Sequence, residues 1–451
     1  MMTERAPRNR NMTPPEAYAG IFAEALATLP GADTQAEAVR KVEFEKFEAV
    51  GFPGPKVEDW KYSPLGPIAK TAFRPTTASD HQSIDSTIDD YLIGDDEMAK
   101  LIFVDGKIDR ERSSRLIHVG GVTIGALDDA LAAGAVDAEA LLAGGDQDRG
   151  FDALNGAFAD CGAVIKVPEG QTSAPVQLVF LSSGAHRDAM INPRILIDVG
   201  NGASLDLAET HVFGAGSELF TNLVTRCWVG KDATVRHDRL QIGDVSGRFI
   251  GRFYTALDDR AKLRQTLATL GGGFVRNEIA ASLNGSDIEA QFNGLYLTRT
   301  NQHVDNVLKI DHTAPNSESD QYYKGVLDGR ARAAFAGKIH VHQAAQKTNA
   351  YQTNSNLLLS PDAEINTKPE LEIYADDVKC SHGATAGELD ERELFYLRSR
   401  GLDPETSRTM LTFAFADEVL ERFFSPHLLE QAKREMLAWL PGGEVLANME
   451  D

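Results

Sequence analysis

The apolar positions of this chain change period twice. Near the N-terminus, Tyr18, Ile21, Phe22, Ala25, Leu26 and Leu29 recur at helical spacing and mark one buried stripe. Thr13 can cap that helix, with Pro14 at its first position, and Pro30-Gly31 stops it. A second helix is predicted from Thr34 to Val50, closed by Gly51 with Pro53 beyond. From Leu101 the period shortens. Leu101 to Val104 with a turn at Asp105-Gly106 predicts a small hairpin, Ile124 to Ala133 a short helix, and the stretch at Phe151 another. After Gly162 nearly everything reads as short strands separated by Gly, Asn and Asp, ending in the alternation of Leu371, Ile373 and Ala375.

Helical spacing returns at Asp390, which with Glu393 makes a capping box, and Gly401 sits where a left-handed C-terminal cap is needed. Asp403-Pro404 opens a helix to about Phe424. Ser425-Pro426 opens the last one, striped by Leu428, Leu429, Ala432, Met436 and Leu440. The pattern predicts an N-terminal helical region with a linker over residues 1–98, a strand-rich core over 99–387 and a C-terminal helical region over 388–451. Residues 1–12 are polar and unpatterned and are predicted to be disordered; residues 74–98, rich in Ser, Thr and Asp, read as the linker. The C-terminal helices could serve as a cap for one end of the core. Their four phenylalanines Phe413, Phe415, Phe423 and Phe424 exceed what one helix face needs, which points to a partner.

Within the core a small residue followed two places on by an aliphatic or small one recurs, usually after a polar residue or glycine. The small residues are Ala203, Ala233, Ala261, Ser286, Ala331 and Ala363, at intervals of 30, 28, 25, 45 and 32. The interval of 45 is close to two shorter ones. Drifting periods of this size suit a β-solenoid whose coils stack with small residues at the corners. A sandwich of long hairpins would supply similar strands without a recurring corner motif.

Composition narrows the function classes. A chain of 451 residues is too long for one ordinary core. The formal charge of −22 repels phosphate backbones, so no nucleic-acid partner is expected. No apolar run has the length of a spanning helix, so no membrane partner is expected either. The three cysteines, Cys161, Cys227 and Cys380, are widely separated and form no CxxC, which fits a reducing compartment; the expected location is the cytoplasm. Neither a GxxxxGK[ST] phosphate loop nor a dinucleotide fingerprint is present, since Gly271-Gly272-Gly273 lacks the required spacing.

The chemistry-bearing candidates are few. Cys380 and His382 lie two apart, so an extended segment points both side chains the same way. Both can bind iron, but two ligands do not make a site, because iron and zinc need three or four donors. On chemistry alone a structural cysteine beside a turn histidine is the favoured reading. His340-x-His342 is a second same-face pair on a predicted strand, with a polar solenoid face as its plain reading. His303, Asp305, Asp311 and His312 form a loose cluster that suits a surface loop. Cys227 beside Trp228 reads as core, and Cys161 as part of a turn. Trp60 reads as an aromatic plug joining the helices to the next domain.

Four segments carry a family resemblance. The run Tyr374-Ala375-Asp376-Asp377-Val378-Lys379-Cys380-Ser381-His382-Gly383-Ala384-Thr385, followed by Leu394-Phe395-Tyr396-Leu397-Arg398-Ser399-Arg400-Gly401, resembles the C-terminal signature of the SufD branch of the SufB/SufD family. Val57 to Tyr62, Phe151 to Asn155, and Gln346-Lys347-Thr348 with Tyr351 to Asn354 agree with it, although the Phe151 segment is shared with SufB. The resemblance begins near residue 15 and covers nearly the whole chain.

It implies a right-handed parallel β-helix flanked by helices. It also implies a non-catalytic scaffold subunit of the SUF iron–sulfur cluster assembly system, with ATP hydrolysed by a partner. The implied partners are SufB, paired through the β-helix, and the ATPase SufC, docked through the C-terminal helices at Phe413, Phe415, Phe423 and Phe424. A homodimer could form when SufB is absent. His382 and then Cys380 are implied as iron or cluster ligands at the SufB interface, with no intrinsic cofactor beyond a transient iron or iron–sulfur cluster there. A flavin is associated with such complexes, but no motif here assigns one. Two other readings stay open: a SufB-like cluster scaffold, and a β-helix enzyme acting on polysaccharide, which would need an acidic cluster repeated along one face.

Overall fold

A computed structural model describes residues 13–54, 56–76, 88–94, 98–144 and 150–447. The segment expected to be disordered, and residues 77–87 and 95–97 of the expected linker, lie outside the described residues. From residue 161 onward the chain winds into a parallel β-helix. Strands Cys161–Val167, Pro193–Val199, Phe220–Val229, Arg248–Leu257, Phe274–Leu283, His303–His312, Arg332–Val341 and Glu364–Ile373 stack in parallel in a first sheet. The intervening strands Val176–Ser182, Ser204–Phe213, Thr234–Gly243, Lys262–Thr269, Glu289–Thr298, Glu318–Leu327, Asn349–Leu358 and Lys379–Gly387 form the second. The solenoid expectation therefore holds. Ala99–Val104 pairs antiparallel with Lys107–Ile108, as the Asp105-Gly106 turn predicts, and joins the start of the second sheet.

The corners explain the repeat. Strands of the second sheet begin in register, Ser204 opposite Thr234, then Lys262, Glu289, Glu318, Asn349 and Lys379. Two residues before each of the first six, the backbone is left-handed: Gly202, Asp232, Arg260, Asp287, Asn316 and Lys347 all have φ between 57° and 64°. Only the first is glycine; the others bear the cost of that conformation, which Asp and Asn tolerate best. The residue that follows is buried: Ala203, Ala233, Ala261, Ile288, Ser317 and Thr348. Two details differ from the sequence expectation. The corner residue of the fourth coil is Ile288, not Ser286. Ala331 and Ala363 precede strands of the first sheet, so the interval of 45 spans about one and a half coils rather than two.

Side chains alternate along each strand. Those pointing between the sheets fill one continuous lumen core that includes Leu207, Phe249, Phe253, Phe292 and Phe335. Those pointing outward need cover, and each sheet has its own. The N-terminal helices bring Tyr18, Phe22, Phe44, Phe47 and Trp60, together with Phe151 and Phe158 of helix Gly150–Phe158, onto Phe220, Ile250 and Phe274 of the first sheet. The C-terminal helices Pro404–Leu420 and Pro426–Trp439 bring Val419, Leu420, Phe423, Leu428, Met436 and Trp439 onto Ala208, Leu240, Ala268, Leu295 and Val326 of the second. They lie along the flank of the solenoid and do not cap its end, because the outer face of the second sheet is too apolar to leave in water.

Local signals set these helices as the sequence predicts, with shifts at the ends. Thr34 Oγ1 accepts from the Ala36 amide, and Asp390, Asp403 and Ser425 cap theirs in the same way. Gly51 and Gly401 have φ of 69° and 98° where the helices stop. The helix opening at Pro404 ends at Leu420, short of Phe424, and the first N-terminal turn, Pro15–Tyr18, is 3₁₀. The helix expected at Ile124 begins only at Leu127, since Val122–Ala126 is a strand. Cys161 opens a strand rather than occupying a turn, and Cys227 is core as expected.

Two of the motif segments are clamps. The Arg276 guanidinium sits 3.9 Å from the Trp60 ring centroid, donates to the Asp59 carbonyl at 2.9 Å and Ser63 Oγ at 2.6 Å, and pairs with Glu278 at 2.6 Å. Ser63 also bonds Asp305. Arg252 joins Glu278 at 3.1 Å to Asp152 at 3.0 Å. Asn155 donates to the carbonyls of Pro193 and Asn222 and accepts from Arg194. Trp60 is thus the plug the sequence suggests, stacked on Phe151 at 5.3 Å. On the opposite flank, fully buried Asp238 accepts from the amides of Phe424 and Ser425 at 2.8 and 2.9 Å.

Two outcomes are expected from these clamps. Arg276→Ala leaves Glu278 and Asp305 buried with less compensation and lowers stability by roughly 3–5 kcal/mol. An unchanged denaturant midpoint would show that the clamp is dispensable. Burial pushes the Asp238 carboxyl up to about 7, against the pull of the Ser425 and Phe424 amides. A carboxyl raised above its ordinary value near 3.9 favours the folded state below that value, and the contribution is lost as pH rises through 7. Asp238→Asn keeps an acceptor but no titration, so its stability relative to the parent protein grows between pH 4 and 7. Melting temperatures of both proteins across that range check this; a constant difference contradicts it.

Candidate functional site at the open end of the solenoid

The solenoid ends on two unpartnered strands. Glu364–Ile373 pairs only with Arg332–Val341, and Lys379–Gly387 only with Asn349–Leu358, so each has one free edge among the described residues. Almost every residue of these two strands is exposed or half-buried, on both faces. Nine or ten residues of free parallel edge is a surface that a protein either protects or pairs.

Cys380 and His382 sit on that last strand, opposite Ala350 and Gln352. Both partners are buried and point into the lumen, while Tyr351 between them is exposed, so Cys380 and His382 share the lumenal face. The sequence expectation of a common face is met. The two residues differ in what surrounds them. Cys380 packs against the last lumenal cluster, Ile339, Val341, Ala345, Ala350 and Ala375. Burial raises its thiol above the ordinary value, against a hydrogen bond to the Ala350 backbone, so at neutral pH it is a thiol. His382 is exposed, and a Cβ on the next residue, Gly383, would meet nothing within 4 Å. An imidazole there has room for a second protein.

The register reveals a feature that no motif advertises. Through successive coils the position of His382 is occupied by His237, Gln265, Phe292, Gln321 and Gln352. His382 is therefore the outermost rung of a mostly polar column inside the solenoid. Gln352 donates to Gln321 Oε1 at 2.8 Å, and Gly337 on the facing sheet leaves the space that Gln352 fills. Deeper in, Glu209 accepts from His211 and His237 at 2.6 and 2.9 Å, and Gln265 contacts His237 Nδ1 at 3.0 Å. Burial alone would raise the Glu209 carboxyl, but the two imidazoles hold it well below the carboxylate range. The deep part of this column is paired, whereas Gln265 Oε1, Gln321 Nε2 and Gln352 Oε1 are buried without a hydrogen-bond partner among the described residues. Phe292 interrupts it before the open end.

The remaining candidates separate. His303, Asp305, Asp311 and His312 lie on one strand rather than a loop, and they split by face. His303 bonds Asp305 at 2.6 Å under the N-terminal cover, whereas His312 turns into the lumen, bonds Ser319 at 2.8 Å and is pushed down to about 4 by burial. Phe413, Phe415, Phe423 and Phe424 turn toward the second sheet. Phe423 is buried, Phe415 lies under Lys324 at 4.4 Å, and Arg236 lies 5.2 Å from the Phe424 ring. Their surplus is accounted for by covering that sheet. The exposed aromatic pair of the C-terminal region is instead Phe395 and Tyr396, at 71% and 57% exposure on helix Glu391–Ser399, directly after the last strand. The pattern hid this because spacing does not say which side chains of a short helix are left uncovered.

Comparison with known proteins agrees with this architecture. Residues 180–415 match the family model described as SUF system FeS cluster assembly, SufBD core domain, and residues 12–178 match the SufBD protein N-terminal region. An iron-sulfur cluster assembly SufBD family protein of Synechocystis is 32% identical over 82% of this chain and 83% of its own length. The iron-sulfur cluster assembly protein SufD of Escherichia coli is 31% identical over 87% of this chain and 90% of its own. A chloroplastic protein of Arabidopsis thaliana, ABCI7, is 28% identical over 92% and 88%. This chain belongs to the SufBD family of iron–sulfur cluster assembly proteins.

Thiol accessibility tests the description of the open end. Cys161 and Cys227 are buried and only Cys380 is partly exposed. A disulfide reagent at pH 8 should titrate one thiol in the native protein, slowly, and all three in denaturant. Rapid modification of more than one native thiol would contradict the burial described.

Proposed function

We propose that this chain is a non-catalytic scaffold subunit of an iron–sulfur cluster assembly complex, and that its open end is the surface on which a SufB-type β-helix continues both sheets. The observation that carries the reading is the free last coil, with a thiol and an imidazole on its lumenal side. A homologous β-helix offers the same strand spacing and hydrogen-bond pattern, so it can pair these edges without distortion. Cys380 and His382 then lie at the seam. His382 can give one ring nitrogen to iron while the partner supplies the donors this chain lacks. Iron or a cluster is cargo at this seam rather than a resident cofactor of the chain.

ATP hydrolysis belongs, in this reading, to a SufC-type subunit docked on the C-terminal helices. Phe395 and Tyr396 are the natural anchors, because adjacent exposed aromatic side chains suit the pockets of a partner. Phe413, Phe415, Phe423 and Phe424 support the docking helices from beneath.

Two expected outcomes follow. In the complex purified with its partners, His382→Ala lowers iron and acid-labile sulfide several-fold with subunit stoichiometry unchanged, and Cys380→Ala lowers them less. Wild-type loading of the His382 variant would make that residue structural. Phe395→Ser with Tyr396→Ala weakens capture of the ATPase subunit by about tenfold or more, in line with losing two aromatic anchors. Undiminished capture by a variant that melts normally would move the docking surface elsewhere. Surface substitution is the cleaner test, since deleting residues 403–451 would also strip the cover from the second sheet.

A further inference from the structure

A second group of ligand-type side chains lies on the outer face of the first sheet, away from the lumenal pair at the open end. Asp311 and His340 are directly opposed on neighbouring strands, and His342 follows two residues after His340 on the same side. Asp311 Oδ1 is 2.7 Å from His340 Nδ1 and 3.6 Å from His342 Nε2. The two imidazole rings lie 4.1 Å apart, centroid to centroid. One donor atom from each of the three residues falls within 4.8 Å of the other two. All three side chains are partly open to solvent, so an ion can enter and keep water ligands.

The neighbouring charges leave this group free to act. Glu372, opposite His340 on strand Glu364–Ile373, is held by Lys338 at 2.8 Å. Among the described residues no lysine or arginine nitrogen lies within 4.0 Å of the Asp311 carboxylate, which faces the two imidazoles instead. Tyr374 stands edge-on to His340 at 5.5 Å and walls one side. Donors around a tetrahedral ion at about 2.1 Å sit roughly 3.4 Å apart, so small side-chain rotations bring these three into place. Two imidazoles and one carboxylate, with positions left open, form a donor set that zinc or ferrous iron accepts and that magnesium or calcium does not favour.

We propose that Asp311, His340 and His342 form a mononuclear site for a divalent first-row transition ion, Fe²⁺ or Zn²⁺, on the outer face of the solenoid. It is independent of the pairing at the open end and needs no partner subunit. In a chain of this family the site would hold metal close to, but separate from, the last coil.

The test is calorimetric titration of the full-length chain, purified alone and stripped of metal, with Zn²⁺ and, anaerobically, with Fe²⁺. The expected result is one equivalent bound by the parent protein and by the Cys380→Ser/His382→Ala variant. Affinity should fall at least tenfold in Asp311→Asn and stoichiometric binding should vanish in His340→Gln/His342→Gln. These side chains are surface-facing, so circular dichroism and melting should be unchanged. No binding by the parent protein, or full binding by the double histidine variant, overturns the proposal. Loss of binding in the Cys380/His382 variant alone would assign the ion to the open end instead. None of these outcomes depends on whether the chain pairs with a SufB-type partner.

Discussion

A stack of parallel coils hands its backbone hydrogen bonds from each strand to the next, and the series must end somewhere. Among the described residues it ends with one edge unpaired at Glu364–Ile373 and at Lys379–Gly387. Everything else in the structure is consistent with leaving that end available. The start of the stack is closed by antiparallel strands, Ile117–Val119 and Val122–Ala126 on one sheet and Lys107–Ile108 on the other. Helices cover the outer face of each sheet over its earlier coils. Among the described residues, the last coil has no antiparallel strand closing its edge.

That economy of cover depends on the clamps beneath it. Helices could slide over an apolar sheet if hydrophobic contact were the only force, because burial is non-directional. The buried Arg276, Glu278, Arg252 and Asp152 chain fixes the N-terminal cover at one position, and Asp238 fixes the C-terminal cover by its two backbone bonds. Directional bonds in a dry place supply registry that packing cannot. The motif segments around Trp60 and Phe151 therefore hold the N-terminal cover in place.

Much of this was legible in the sequence. The corner motif identified a solenoid because a left-handed turn followed by a buried residue recurs each coil, and caps such as Asp390, Asp403 and Ser425 fixed the helix starts. What stayed hidden was register. Coils differ in length, with Lys262 opposite Glu289 but Glu318 opposite Asn349, so residues far apart in sequence cannot be aligned from spacing alone. The polar column ending at His382 is invisible for that reason, as is the meeting of Asp311 with His340. The destination of the C-terminal helices was hidden too, since an amphipathic stripe says that a face is buried but not against what. The four phenylalanines read as a partner surface for the same reason.

The central claim is that the last coil is completed by another chain. Its most direct measurement is backbone amide exchange in peptides covering Lys379–Gly387, for this chain alone and in complex with its SufB-type partner. Fast exchange is expected along this strand in the isolated chain and strong protection in the complex, while strand Asn349–Leu358 behind it is protected in both. Unchanged exchange at Lys379–Gly387 in a stoichiometric complex would contradict that claim.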